Sequence, residues 1–197
     1  MCFSGSVSLI RKLLPPRAGE PCLLVLGLDN AGKSSLTGSL ADKLGDGNVT
    51  ASMEVTEVRL KIKNTKIKMF DLNGRLKNRQ LWANYYKNVR GLIFVIDSKD
   101  AARLSEARCV LCDVLLDERL RNVPLLIVAN KQDALGAMSG RLMVDLMGLS
   151  RLEGREWIIL ECSVTTGSGI QTFYRASSVG FPRIYESDRI NHSFIEL

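Results

Sequence analysis

The chain has 197 residues, 46% hydrophobic and 24% charged, which suits one globular domain with a substantial core and excludes wholesale disorder. Its net charge of +6 is spread along the chain with no basic block, so nucleic acid is not an expected partner. Five cysteines (Cys2, Cys22, Cys109, Cys112 and Cys162) are odd in number and form no disulfide framework, suiting a reducing, cytoplasmic compartment, and no apolar run reaches the roughly 18 residues of a membrane-spanning helix.

In residues 1–20, Phe3, Val7, Ile10 and Leu14 recur at helical spacing beside Arg11, Lys12 and Arg17, and Pro15-Pro16 ends the pattern. Three readings stay open for this basic amphipathic extension: a helix on an anionic membrane surface, a helix packed on its own domain, or a frayed tail. Cys2 stands where N-myristoylation requires glycine, which excludes that anchor.

Cys22 to Leu26 reads as a strand, and Gly27-Leu28-Asp29-Asn30-Ala31-Gly32-Lys33-Ser34 follows it with the pattern G-x-x-x-x-G-K-[ST]. Such a loop turns successive backbone N–H groups and a helix N-terminus toward an anion. Gly27, Asp29, Asn30, Ala31, Gly32, Lys33, Ser34 and Ser35 are thus candidate phosphate-binding residues, and the Ser34 hydroxyl is a candidate ligand for Mg2+. The helix is expected from Lys33 to Leu44, ending before Gly45-Asp46-Gly47.

Asn48 to Met53 reads as an irregular loop, followed by strands at Glu54–Ile62 and Lys66–Phe70 around a turn at Asn64-Thr65. Arg59, Lys61, Lys63, Lys66 and Lys68 alternate with apolar residues and fall on one solvated face. Asp71, 38 positions after Lys33, suits a carboxylate that holds Mg2+ opposite Ser34, and Gly74 admits the backbone to a terminal phosphate. Leu81, Trp82, Tyr85 and Tyr86 then share a helical face that serves either as core or as a partner surface.

Gly91 to Ile96 is an apolar strand of the kind found inside a parallel sheet. A helix from Ala101 to Leu120 should follow, with Cys109 and Cys112 facing the core; they are spaced like half a zinc site, but no second pair completes it. Pro124–Ala129 is another buried strand and runs into Asn130-Lys131-Gln132-Asp133. There Asp133 can accept from the N1–H and amine of guanine, Asn130 can tie neighbouring loops together, and the Lys131 stem can cover the base. After a helix near Gly140–Met147 and a strand at Trp157–Glu161, the turn Cys162-Ser163-Val164-Thr165 is positioned to present the Ser163 and Val164 amides to the guanine oxygen. The alternation predicts a doubly wound, mostly parallel α/β sheet with its ligand at the carboxyl edge.

With Gly27–Ser35, Asp71–Arg75, Asn130–Asp133 and Cys162–Val164 in view, the chain resembles the Arf-like small GTPases over about residues 20–169. Asp71-Leu72-Asn73-Gly74 and Trp82-Ala83-Asn84-Tyr85-Tyr86 look most like the cilium-associated thirteenth Arf-like subgroup, particularly its shorter A-type member. The resemblance implies a P-loop GTP-binding domain at 21–169 between the amphipathic extension and a divergent tail at 170–197, with GTP, GDP and Mg2+ as ligands. It also implies a switch surface including Val55, Phe70, Trp82 and Tyr85 that meets protein effectors or exchange factors, and a cytoplasmic, membrane-associated or ciliary location.

The chain departs from that family in four places. Ala51-Ser52-Met53-Glu54 replaces the first-switch Pro-Thr-x-Gly, so Ser52, or Thr50 if the register slips, would supply the Mg2+ hydroxyl, while Glu54 adds negative charge near phosphates. Asn73 replaces the first glycine of the second-switch pair, where its tolerance of unusual backbone angles is expected to preserve the turn. Arg75 replaces the glutamine that orients the attacking water, and a guanidinium accepts no hydrogen bond. The expectation is a nucleotide-dependent switch or scaffold with weak or absent hydrolysis and no assigned catalytic residue. A hydrolysing GTPase of membrane or ciliary trafficking and a pseudo-GTPase remain as alternatives, whereas a nucleotide kinase would leave Asn130–Asp133 without a role. Finally, the family's long last helix is missing after Gly169, which predicts apolar sheet surface left open.

Overall fold

Four apolar runs form the interior of a sheet because each has both faces covered. They are β1 (Cys22–Leu26), β5 (Val89–Asp97), β6 (Leu125–Asn130) and β7 (Trp157–Glu161). The computed structural model describes residues 20–62, 65–170 and 185–186. Its remaining elements are α1 (Lys33–Leu44), β2 (Gly45–Ala51), β3 (Val55–Ile62), β4 (Thr65–Leu72), α2 (Leu104–Leu115), α3 (Gly140–Met147) and β8 (Tyr185–Glu186). The strand order is β2-β3-β4-β1-β5-β6-β7-β8. Pairing is parallel from β4 through β7, and antiparallel for β2–β3, β3–β4 and β7–β8. This is the doubly wound, mostly parallel sheet that the alternation predicted.

One face buries Leu24, Leu26, Leu92, Phe94, Leu125 and Ile127 together with the apolar sides of α2 and α3. The other buries Leu23, Val25, Val58, Leu60, Ile67 and Met69 with Leu36 and Leu40 of α1. The open apolar surface expected after Gly169 is not observed: on this second face Ile93 and Leu126 are 0% exposed and Ile158 is 2% exposed. Ile170 is itself buried in that cluster, so the first residue after Gly169 still packs on the sheet.

Residues 48–51 are strand, not irregular loop, and Val49, Thr50 and Ala51 pair with Val58, Glu57 and Thr56. An edge strand needs only backbone partners on one side, so it carries no apolar alternation to betray it. α1 passes into β2 with no residue between Leu44 and Gly45. The Gly45 amide donates to the Ala41 carbonyl, and a Cβ at Gly45 would lie 2.4 Å from that same oxygen.

The single helix expected from Ala101 to Leu120 is three pieces: a 3-10 turn at Ala101–Arg103, α2, and a second 3-10 turn at Glu118–Leu120. Asp100 and Asp117 each accept a backbone N–H two or three residues on, which favours turn over continued helix. α2 buries Leu104, Ala107, Leu111 and Val114, so Cys109 and Cys112 fall on the opposite side and are exposed rather than core-facing. Thr65, expected in the turn, instead opens β4 opposite Ile62. Residues 1–19, 63–64 and most of the tail, on which the readings of the amphipathic extension, of the Asn64 turn position and of the tail depend, lie outside the described residues.

Candidate functional site

The carboxyl ends of β1, β4, β5 and β6 bring the motif-bearing loops together. In the loop after β1, Gly27 has φ +138°, Asn30 +62° and Gly32 +95°, left-handed values that coil the backbone into the start of α1. A Cβ on Gly27 would lie 2.2 Å from the Val95 carbonyl oxygen of β5, so the loop begins in direct backbone contact with the sheet. Ala31 is buried, while Asn30, Ser34 and Ser35 are exposed. Lys33 folds back to donate from Nζ to the Leu28 carbonyl at 2.7 Å.

Asp71, opposite Val25 in the parallel register, faces the first turn of α1. Its Oδ2 accepts from the Thr37 hydroxyl at 3.4 Å. Burial pushes its carboxyl above the usual carboxylate range, against the opposing pull of the Ser34 hydroxyl, the Lys33 charge and the Thr37 hydroxyl. Burial also pulls the Lys33 amine down, opposed by Asp71 and Asp29. An amine, a hydroxyl and a carboxyl group whose ionisation burial disfavours thus share a polar cleft of about 390 Å3, where an anion would satisfy Lys33 and the helix amides and a divalent cation would satisfy Asp71 and Ser34.

The far wall of the cleft comes from Ser52, Met53 and Glu54 before β3 and from Asn73, Gly74 and Arg75 after β4. Ser52 lines the cleft, and Thr50, paired with Glu57 in β2, does not. The Ser52 hydroxyl is nevertheless spent in its own turn, accepting from Val55 N at 3.1 Å and donating to Val55 O at 3.0 Å. Ser34 and Asp71 are therefore brought together, and the third predicted metal residue is held apart from them by local hydrogen bonding. A Cβ on Gly74 would lie 2.3 Å from Gly27 O and 2.6 Å from Asp29 N, so this glycine rests on the backbone of the first loop. Asn73 holds its turn by side-chain hydrogen bonds and not by a left-handed angle. Arg75 is exposed at the rim and pairs with no carboxylate among the described residues.

The loop after β6 is fastened by Asn130, which is 2% exposed. Its Nδ2 donates to Ala31 O at 3.0 Å, and its Oδ1 accepts from Val164 N at 3.2 Å, joining the loops after β1, β6 and β7. Lys131, at φ +66°, donates to Asp97 Oδ2 at 2.6 Å. Asp133 is exposed, and its charge adds to burial in raising the Cys162 thiol to about 12. In the turn expected to meet the base, Ser163 N donates to Ser168 O at 2.9 Å and Val164 N to Asn130 Oδ1 at 3.2 Å, so both amides have partners within the chain.

Two residues escaped the sequence reading. Arg103 donates to Asp29 Oδ1 at 3.3 Å, and Arg79 donates to Gly74 O at 2.9 Å and Glu106 Oε1 at 2.8 Å, fixing both sides of the cleft to α2. Their spacing matches no phosphate motif, so only three-dimensional proximity reveals them. In the expected partner surface, Phe70 and Tyr85 are half-buried with ring centroids 5.5 Å apart and Val55 lies beside them in the core periphery. Trp82 is instead a core residue, 3% exposed, its indole N–H donating to Asn73 O at 3.0 Å.

The sequence model of the ADP-ribosylation factor family matches residues 7–176. ADP-ribosylation factor-like protein 3 of Chlamydomonas reinhardtii is 36% identical over 167 residues, covering 85% of this chain and 93% of that protein. The protein of the same name from Caenorhabditis elegans is 35% identical over 167 residues, covering 84% and 90%. Among solved structures, the Arl6 BBS3 small GTPase from Trypanosoma brucei with bound nucleotide analogue GppNp superposes with a TM-score of 0.72 at 28% identity, covering 81% of this chain and 95% of that one.

Proposed function

Because the chain belongs to the ADP-ribosylation factor family, we propose that it is a guanine-nucleotide-dependent switch or scaffold with weak or absent intrinsic GTP hydrolysis. The observation that carries this reading is the convergence of Lys33, Ser34 and Asp71 in one cleft whose first loop is tied by Asn130 to the Asp133 loop. GDP or GTP would place its phosphates against Gly27–Ser35 and its base against Lys131 and Asp133. The solved trypanosome relative carries a nucleotide analogue, which supports that class of ligand.

The donor set also fits Mg2+, which Ser34 and Asp71 would hold; a buried carboxylate whose ionisation is disfavoured gains most from a nearby cation. When bound, the ion neutralises phosphate charge. Arg75 supplies charge but no acceptor for a water proton, so turnover should be slow. The half-buried Val55, Phe70 and Tyr85 offer protein effectors or exchange factors an apolar surface beside the cleft. Membership of the thirteenth Arf-like subgroup, with a ciliary or membrane-trafficking role, is supported by the sequence motifs quoted above.

Titration with fluorescent GDP, GTP and ATP in Mg2+ tests the ligand, and single-turnover hydrolysis by the parent and Arg75→Gln tests the chemistry. Guanine preference, with turnover rising in the variant, is expected. Rapid hydrolysis by the parent refutes weak catalysis, and preference for ATP refutes the base assignment. A pseudo-GTPase reading draws support from the internal use of Lys33 Nζ and of the Ser163 and Val164 amides. No measurable nucleotide binding in the same titration would favour it.

A further inference from the structure

We propose that Asn73 is a positioning residue that latches together the two loops on the phosphate side of the cleft and so slows nucleotide release. The proposal rests on the nucleotide reading above and adds to it a determinant of lifetime.

The β3–β4 ladder ends at the pair Val55 and Leu72. Asn73 continues the connection by a different chemistry, with all four of its polar atoms engaged. Its backbone N–H donates to Glu54 O at 2.9 Å. Its Nδ2 reaches 20 residues back to donate to Met53 O at 3.2 Å. Its Oδ1 accepts from Arg75 N at 3.0 Å, closing the turn that begins the 3-10 segment Leu76–Tyr85. Its carbonyl accepts from the indole of the buried Trp82. One residue therefore binds the Met53-Glu54 loop, the Gly74-Arg75 loop and the core.

Glycine at this position would keep the two backbone bonds and lose the two made by the side chain. The loop that Asn73 holds is also stiff, because Ser52 closes its own turn onto Val55 through backbone and hydroxyl. Holding Met53 thus holds Ser52 and Glu54 at the cleft wall. On the other side, Gly74 is pressed against Gly27–Asp29 with no room for a Cβ. The two loops part from the phosphate loop together or not at all, and a phosphate held beneath them leaves only when they do.

Losing one partly exposed hydrogen bond of this kind corresponds to roughly three- to ten-fold in an opening equilibrium. The full chain is loaded with fluorescent GDP and Mg2+, and its release into excess unlabelled GDP is followed for the parent, Asn73→Gly and Asn73→Asp. The aspartate keeps an acceptor for Arg75 N and loses the donor to Met53 O. Both variants should release nucleotide at least three-fold faster, whereas Leu111→Ala, destabilised in the core of α2, should keep the parent rate. Release from Asn73→Asp at the parent rate overturns the proposal, as does equal acceleration in Leu111→Ala. Failure of the parent to retain any guanine nucleotide defeats the nucleotide reading instead. The latch is then judged on the ligand-free chain by amide hydrogen exchange at Val55 and Asn73: faster exchange in Asn73→Asp upholds the coupling of the two loops, and unchanged exchange overturns it.

Discussion

Replacing Asn130 with alanine should loosen three loops at once, and its cost follows from the atoms left behind. The side chain is 2% exposed and satisfies the Ala31 carbonyl with Nδ2 and the Val164 amide with Oδ1. Alanine leaves the buried Ala31 carbonyl and the part-buried Val164 amide without a partner, at about 1–3 kcal/mol each, for a total of about 2–6 kcal/mol. The side chain also lies directly over Gly32, where a Cβ would come within 2.2 Å of Nδ2, so its loss removes a close contact with the first loop as well. With a urea m-value of about 2 kcal/mol/M for a domain of this size, the unfolding midpoint should fall by about 1–3 M. Asn130→Asp provides the control: it keeps an acceptor for Val164 N but sets a carboxylate against the Ala31 carbonyl, and it should cost at least as much. The assay is equilibrium urea unfolding followed by tryptophan fluorescence, and a midpoint shift under about 0.3 M for Asn130→Ala would refute the tie as a source of stability.

Asp71→Asn should stabilise the ligand-free chain at neutral pH relative to acid. Burial raises the folded-state Asp71 carboxyl, so its stabilising influence is complete at low pH and is lost as pH rises through that raised value. The stability gap in favour of Asp71→Asn, measured by urea midpoints at several pH values, should widen from acid toward neutral; a constant gap contradicts the assignment. Lys66→Glu should raise the melting temperature by about 1–2 °C, because it replaces a like-charge pair opposite Lys61 on an exposed sheet face with an opposite-charge pair worth about 0.5 kcal/mol. A lower melting temperature would mean that the two side chains do not sense each other. In native protein Cys109 and Cys112 should be alkylated within minutes, while Cys22, raised to about 11, and Cys162, raised to about 12, stay protected until unfolding. Peptide mapping that found Cys162 labelled in the native state would contradict its burial.

The parts of the fold that local chemistry dictates were legible in the sequence. β1, α1, α3 and β7 occur at the bounds expected of them, since each begins or ends at a glycine, a serine cap or the flank of an apolar run. Lys33, Ser34 and Asp71 meet because the loops after parallel strands share one edge of the sheet. What stayed hidden depends on contacts distant in sequence. β2 has backbone partners but little apolar patterning, and for Trp82 the choice between core and partner surface is decided only by its burial and the indole bond to Asn73. Arg79 and Arg103 show no motif because their partners, Gly74, Glu106 and Asp29, come from three separate segments. For Asn73 the sequence suggests backbone tolerance, whereas the turn holds no left-handed angle there and the side chain makes two hydrogen bonds.

The direct passage from α1 into β2 carries a consequence for anyone who would re-engineer the chain. A helix that begins at the anion loop and a strand that forms the sheet margin are spliced at Leu44-Gly45 with no spare length. Any displacement of the margin strand would therefore be felt directly at the far end of the helix. Two glycines inserted at that splice would uncouple them while leaving every residue of the cleft in place. The same splice is a natural place to graft an optical reporter of displacement between the strand and the helix.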